Sequence, residues 1–108
     1  MSALKRTELE LFKDVAAATS DATQFYVPPV GEFKIECIEA EAAFDMNCAV
    51  EVKFDGVIVW MTKGSSRMDR HKSFVGDGVK KVELVLDAVD LPSGSIYLGG
   101  FVLITEEV

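Results

Sequence analysis

The side chains that could support metal chemistry are few and scattered in this sequence. His71, the single histidine, lies in the basic stretch RMDRHKSF, and neither a second histidine nor a CxxC motif stands at metal-ligand spacing. Zinc sites need several nitrogen or sulfur ligands close together, so Met68, Asp69 and His71 are not expected to form one. We therefore expect no metal site and no other cofactor.

Carboxylates are numerous, but their spacing fits no catalytic motif. The glutamates of residues 36–41 lie along one predicted strand, and Asp87 and Asp90 frame a turn. A glycosidase needs an acid and a base across a cleft, and a chain of 108 residues offers little room for one. Calcium binding by Asp45, Asp87 and Asp90 would lack the EF-hand pattern, and GxSxG and P-loop motifs are absent. The sequence argues against an enzyme.

The composition limits the classes of binding partner and the cellular compartment that we expect for this chain. The net charge is −7, from 18 acidic and 11 basic residues, which disfavours nucleic acids and anionic membranes as partners. No apolar run reaches the length of a membrane span, and the N-terminal residues do not resemble a signal peptide. Cys37 and Cys48 are interpreted as reduced thiols, although a disulfide between adjacent strands stays open. Synthesis in a cytoplasm is expected.

The elements that must position these side chains are predicted to be strands. Turn clusters rich in Gly, Pro, Asp, Asn and Ser recur about every ten residues, which is typical of a sandwich or barrel. The fold prediction is all-β: one antiparallel β-sandwich domain over residues 1–108, jelly-roll-like, with about eight strands. Residues 1–20 are expected to form a strand, with a helix or an arm as the alternatives. Phe33, Ile35 and Cys37 are predicted to share one face of a strand. After Cys37 the alternation of apolar and charged residues shifts by one position, which predicts a β-bulge.

The stretch VEVKFDGVIVWMT, residues 50–62, predicts a hairpin with a type I′ turn at Asp55-Gly56. The register of such a turn pairs Lys53 with Ile58 and Glu51 with Trp60. One face of the hairpin is then a core face of apolar residues, comprising Val50, Val52, Phe54, Val57, Val59 and Met61. The other face places Ile58 and Trp60 beside charged residues.

Three explanations of the exposed Trp60 stay open at this point. Lys53 could lay its aliphatic stem over the indole ring. Ile58 and Trp60 could form the apolar anchor of a subunit or partner interface. Alternatively, Trp60 could stack on a sugar, with help from Tyr97 or Tyr26.

A basic segment follows this hairpin in an otherwise acidic chain. Residues 63–74 contain Lys63, Arg67, Arg70, His71 and Lys72, and are interpreted either as an exposed loop or as a docking element. In the second interpretation, the segment binds the glutamate-rich strand of another copy. Complementary patches on one chain would suit a head-to-tail ring.

Three stretches resemble small β-sandwich proteins of tailed-phage virions: YVPPVGEFKIECIEA, EVKFDGVIVWM and VELVLDAVDLPSGSIYLGG. The resemblance covers roughly residues 25–104 and consists of a proline-glycine entry, a DG hairpin and a late YLGG. It implies a jelly-roll-like fold, a non-enzymatic role in a virion or its assembly, and oligomerisation. It transfers no catalytic residue.

The functional prediction is a structural subunit that forms a homo-oligomer or docks on a larger protein assembly. Its predicted interface has Ile58 and Trp60 as the anchor and Lys53 beside them, with a charged rim of Arg67, Arg70 and Lys72. The alternative is a carbohydrate-binding module that uses Trp60, Tyr97 and Tyr26 to bind a glycan.

Overall fold

A computed structural model describes residues 3–42 and 47–107, apart from the side chains of residues 70 and 71. Eight strands occur in this described part: β1 Leu4–Ala16, β2 Thr19–Tyr26, β3 Gly31–Ala42, β4 Ala49–Phe54, β5 Val57–Thr62, β6 Ser66–Gly76, β7 Val82–Ala88 and β8 Ser95–Glu107. Within the same residues, no helix is long and apolar enough to cross a membrane.

The strands form two four-stranded antiparallel sheets that pack face to face. Sheet I has the order β1-β8-β3-β6, and sheet II has the order β2-β7-β4-β5. The first strand therefore pairs with the eighth, the second with the seventh, the third with the sixth and the fourth with the fifth. A long hairpin folded over on itself gives this nested pairing, which is the jelly-roll arrangement. The all-β sandwich prediction is confirmed.

The core lies between the sheets and follows from the period-two alternation of side chains along each strand. Sheet I contributes alternate residues of β8 such as Leu98, Val102 and Ile104, and sheet II contributes Leu84 and Leu86 of β7. All five side chains are fully buried. Each such burial contributes about 1.5–3 kcal/mol, so β7 and β8 supply much of the force that holds the sheets together.

The first segment is a strand, as expected, and not a helix. All 13 residues of β1 pair in continuous register with β8, and Leu9 and Val15 point into the core. The alanines that favour a helix lie at the end of the strand, where Ala18 adopts φ 60° in a tight turn to β2. Tertiary pairing with β8 outweighs the local helix propensity here.

The predicted bulge in β3 is present, but it starts one residue earlier than the phase slip suggested. The register against both β6 and β8 shifts between Ile35 and Cys37, and Glu36 is the extra residue in the pairing with β8. Ile38 therefore continues the buried face begun by Phe33 and Ile35. The placement of Cys37 on that buried face is wrong, because the bulge turns it to the outer surface of sheet I.

A second bulge changes the hairpin of β4 and β5. The turn is as predicted, since Asp55 and Gly56 both have positive φ, 54° and 75°, as a type I′ turn requires. Lys53 pairs with Ile58 as predicted, but Val52 then pairs with Trp60 instead of with Val59. The bulge inserts Val59 into β5 and reverses the facing of every later residue in the strand.

The corner between β1 and β2 is held by an ion pair that links the two sheets. Lys13 Nζ lies 2.9 Å from Asp21 Oδ2, and Asp21 Oδ1 accepts a hydrogen bond from the backbone N–H of Thr23. The Lys13 hydrogen bond, followed by those from Thr23, lowers the pKa of Asp21 from 3.8 to about 2. The ionised form of Asp21 therefore stabilises the folded state.

Asp21→Asn is expected to lower the free energy of unfolding by about 1–2 kcal/mol at neutral pH, after allowance for solvent screening of the pair. Because the folded pKa is depressed, this stabilisation is present above pH 3.8 and is lost as the pH falls to about 2. Urea unfolding of both proteins at pH 7 and near pH 2 measures the difference. An equal difference at the two pH values would contradict the assignment.

Candidate interaction surfaces

The β4–β5 hairpin exposes apolar side chains at its turn and on the outer surface of sheet II. Ile58 is 46% exposed and Met61 is 50% exposed, and Val57 is exposed at the turn. Lys53 lies opposite Ile58 in the register and supplies a charge at the border. We call Val57, Ile58 and Met61 the hairpin patch. The predicted exposure of Ile58 is confirmed, whereas Val57 and Met61 had been predicted in the core.

Trp60 does not belong to this patch. Its side chain is 6% exposed and packs in the core between the sheets. The predictions that Trp60 anchors an interface or stacks on a sugar both relied on an exposed ring, and both are wrong about its position. The physical reason is the bulge at Val59, which exchanges the facing of Trp60 and Met61.

Glu51 lies next to the hairpin patch, opposite Met61 on one side and Val85 on the other. The residue is buried although it faces outward, because these neighbours cover it on the central strand. Burial raises the pKa of Glu51, the Asp87 carboxylate raises it further, and Lys53 opposes the shift. The upward shift means that burial among apolar neighbours disfavours the charged form of Glu51.

The strand β5 differs from the other three edge strands of the two sheets in having no charged residue. The edge strands β1 and β6 carry several charged side chains each, and β2 carries Asp21, which is paired with β1. The β5 sequence VIVWMT has neither a charge nor a proline. Charged side chains and prolines are the usual protections against edge-to-edge pairing, so β5 has only its bulge as protection.

The basic segment is a strand and not a loop, because residues 66–76 form β6 beside β3 in sheet I. Arg67 Nη1 lies 2.9 Å from Glu39 Oε1 of the same chain, and Lys72 Nζ lies over the Phe74 ring. The glutamate-rich strand expected from another copy is therefore the neighbouring strand of this chain. The side chains of Arg70 and His71 lie outside the described residues.

The two tyrosines of the carbohydrate hypothesis lie in different surroundings. Tyr26 Oη donates a hydrogen bond to the buried Glu106 and accepts one of 3.1 Å from Lys5 Nζ, so this hydroxyl joins β2 of sheet II to sheet I. Tyr97 is 45% exposed on the outer surface of sheet I. The structure therefore does not bring Trp60, Tyr97 and Tyr26 together.

The outer surface of sheet I has an aromatic and aliphatic centre. The Phe12 ring covers Gly99 on the outward side, at the place that a side chain there would occupy. Tyr97, Phe101 and Leu103 face the same way, because they alternate with the buried residues of β8. A residue with a side chain at position 99 would clash with this ring.

Carboxylates surround this centre. Among the described side chains, the outward-facing acidic residues are Glu8, Glu10 and Asp14 of β1, Glu32, Glu36, Glu39 and Glu41 of β3, Asp69 of β6 and Glu107 of β8. The outward-facing basic residues described on the same surface are Arg6, Lys34 and Arg67. This surface, which we call the acidic face, therefore holds most of the net charge of −7. The sequence analysis did not predict the acidic face, although the acidic residues that alternate along β1 and β3 indicate it.

Two depressions border the acidic face. One, of about 410 Å³, is lined by Phe12, Glu39, Ala40, Glu41, Ser65, Ser66 and Arg67. The other, of about 580 Å³, lies near Leu4 and Val30 and includes Glu36, which accepts a 2.9 Å hydrogen bond from Thr105 Oγ1.

The structure tests some of the metal and thiol predictions. Within the described part of the chain, no group of three acidic, histidine or cysteine side chains is arranged to hold a metal. Asp45, one of the calcium candidates, lies outside that part. Cys37 and Cys48 are both free thiols, so the disulfide alternative is not realised. Burial raises the pKa of the Cys37 thiol despite the nearby Arg67.

Fold and surfaces together define this chain as a small jelly-roll β-sandwich with an apolar hairpin patch and an acidic face. No protein-family model matches the chain, and the comparison with curated proteins gives no match.

Proposed function

We propose that this protein is a non-enzymatic structural subunit that associates with copies of itself, or docks on a larger assembly, through the hairpin patch. The observation that carries the proposal is the combination, on one hairpin, of exposed apolar side chains and an uncharged edge strand. Met61 takes the place that the sequence hypothesis gave to Trp60, and Ile58 keeps its role.

The arrangement favours a second copy because edge pairing of identical strands is self-complementary. Two β5 strands running antiparallel across a twofold axis would place uncharged residues opposite uncharged residues and extend sheet II through both subunits. The apolar side chains of the patch would be buried at the same contact, with Lys53 at its border. The resemblance to tailed-phage virion proteins agrees with this role and suggests a virion, after synthesis in a cytoplasm.

Ile58→Asp is expected to weaken self-association by about 10–100-fold, because it places a charge on the edge and removes an apolar contact. Light scattering over a range of protein concentrations measures the mass of each species. Val79→Asp is the matched control, because Val79 is an exposed valine outside the patch. A wild-type monomer at every concentration, or equal effects of the two substitutions, would contradict the proposed interface.

The alternative function, glycan binding, is less well supported than assembly. Tyr97 is the one aromatic residue of that hypothesis that stands exposed on a sheet face, and it lies on the acidic face beside Phe12. Glycan binding through this surface would be lost in Tyr97→Ser and unchanged in Ile58→Asp, which separates the two functions.

A further inference from the structure

We infer that the acidic face docks a basic protein segment, and that the depression beside Phe12 takes one of its arginine or lysine side chains. The acidic face lies on sheet I, on the opposite side of the sandwich from the hairpin patch. The inference therefore concerns a second surface and a partner of different chemistry, and it does not depend on self-association.

The first argument for a basic partner is the negative charge of the acidic face. Glu8, Glu10 and Asp14 stand along one strand with Glu41 across the sheet, and within the described residues these four carboxylates form no ion pair. Like charges on one surface repel each other, and the repulsion is relieved when a cationic partner approaches. The same field raises the rate of encounter with such a partner and keeps anionic ones away.

The aromatic centre is the second argument. Tyr97 and Phe12 are both partly exposed, and Phe101 and Leu103 lie between the charged rows. An apolar centre with a charged border is the usual anatomy of a protein interface. Guanidinium groups stack on aromatic rings while they bind carboxylates, so arginine suits this surface best.

The depression beside Phe12 is the third argument. Its volume is about 410 Å³, and it presents the Phe12 ring together with Glu39 and Glu41. Arg67 already binds Glu39 at 2.9 Å and shows the kind of contact that the depression supports. Glu41 is exposed at the rim and is left for the cation of a partner.

The outer surface of sheet II of a second copy fits the acidic face poorly. On the outer surface of sheet II, Lys53 lies opposite Glu83 in the register, and Lys81 lies 3.6 Å from Glu83. That surface thus offers no excess of positive charge. Nucleic acids and anionic membranes would be repelled, so a basic segment of another protein is the occupant that the charges favour.

The test uses a fluorescently labelled peptide of alternating arginine and serine, with a glutamate-serine peptide as the probe of opposite charge. Fluorescence anisotropy with the 108-residue chain at low and at physiological ionic strength measures the dissociation constants. We expect the arginine peptide to bind and the glutamate peptide not to bind, with affinity that falls as salt is added.

Glu41→Lys is expected to weaken binding of the arginine peptide about tenfold, because it reverses a charge at the depression. Asp90→Lys changes the net charge equally in an exposed turn outside the acidic face and is expected to change the affinity less than about twofold. Tyr97→Ser is expected to weaken binding about two- to fivefold through the lost cation–π contact. Circular dichroism of each variant checks that it folds.

Three results would overturn the inference. The first is an arginine peptide that binds no better than the glutamate peptide, and the second is an equal loss in Asp90→Lys and Glu41→Lys. The third is a loss of peptide binding in Ile58→Asp, which would assign the peptide to the hairpin patch. A wild-type monomer that still binds the arginine peptide through Glu41 would contradict the proposed self-association and leave this inference standing.

Discussion

Replacement of Trp60 by alanine is expected to lower the free energy of unfolding by about 3–5 kcal/mol. The indole ring is buried in the core between the two sheets and pairs across the hairpin with the fully buried Val52. Truncation would leave a cavity at the β5 edge of sheet II, and β5 would lose a large buried contact with the core. An interface residue would behave differently, since its loss would impair assembly and leave the unfolding free energy nearly unchanged.

Urea unfolding followed by circular dichroism measures this difference, and Met61→Ala is the matched control on the same strand. Met61 is half exposed, so its truncation is expected to cost less than about 1 kcal/mol. Because Trp60 is the single tryptophan, its fluorescence gives an independent check: the emission should be blue-shifted and poorly quenched by iodide. Equal losses in the two variants, or strong quenching in the wild type, would contradict the burial of Trp60.

The facing of Trp60 illustrates how far the sequence could predict this hairpin. Asp55-Gly56 predicted the turn type and the first two pairs correctly, because a two-residue turn fixes the register next to itself. The run VIVWM has no polar residue to mark which side faces solvent, so the bulge at Val59 left no trace in the pattern. In β3 the glutamates between apolar residues did reveal a bulge, although its position was one residue off.

The acidic face was harder to predict because all four strands of sheet I contribute to it. Glu10 of β1 and Glu39 of β3 are distant in sequence, and each pairs with Phe101 of β8, which brings them onto one surface. A jelly-roll prediction names the fold class but does not give the register of each pair. The register comes from matching buried faces across two sheets, which a single sequence specifies only when its partners are known.

Two adjacent glycines in β8, Gly99 and Gly100, allow close packing on both sides of sheet I. Gly99 and Gly100 face opposite sides of sheet I, because successive residues of a strand alternate in facing. Gly99 lies under Phe12, and a Cβ on Gly100 would lie 2.8 Å from Leu84 Cδ1 and 3.1 Å from Val50 Cγ1 of sheet II. The pair therefore allows sheet II to pack closely on one side and the aromatic centre of the acidic face to form on the other.

A second large effect is expected at Phe33, whose replacement by alanine should lower the free energy of unfolding by about 3–5 kcal/mol. Phe33 of sheet I is 1% exposed, and its ring centroid lies 5.1 Å from that of Phe54 in sheet II and 5.6 Å from that of Phe74 in β6. The three rings join both sheets near the Asp55-Gly56 turn. Truncation removes two ring contacts, each worth about 0.5–1.5 kcal/mol beyond the buried area, and opens a cavity between the sheets.

Phe25→Ala is the matched control, because Phe25 is 52% exposed and contacts Lys81 at the surface of sheet II. Its truncation is expected to cost less than about 1 kcal/mol. Phe33→Leu should fall between the two, since it keeps most of the buried volume and loses the ring contacts. Urea unfolding followed by Trp60 fluorescence ranks the three variants. If Phe33→Ala and Phe25→Ala were equally stable, the aromatic cluster would not be what holds the two sheets together at this end of the sandwich.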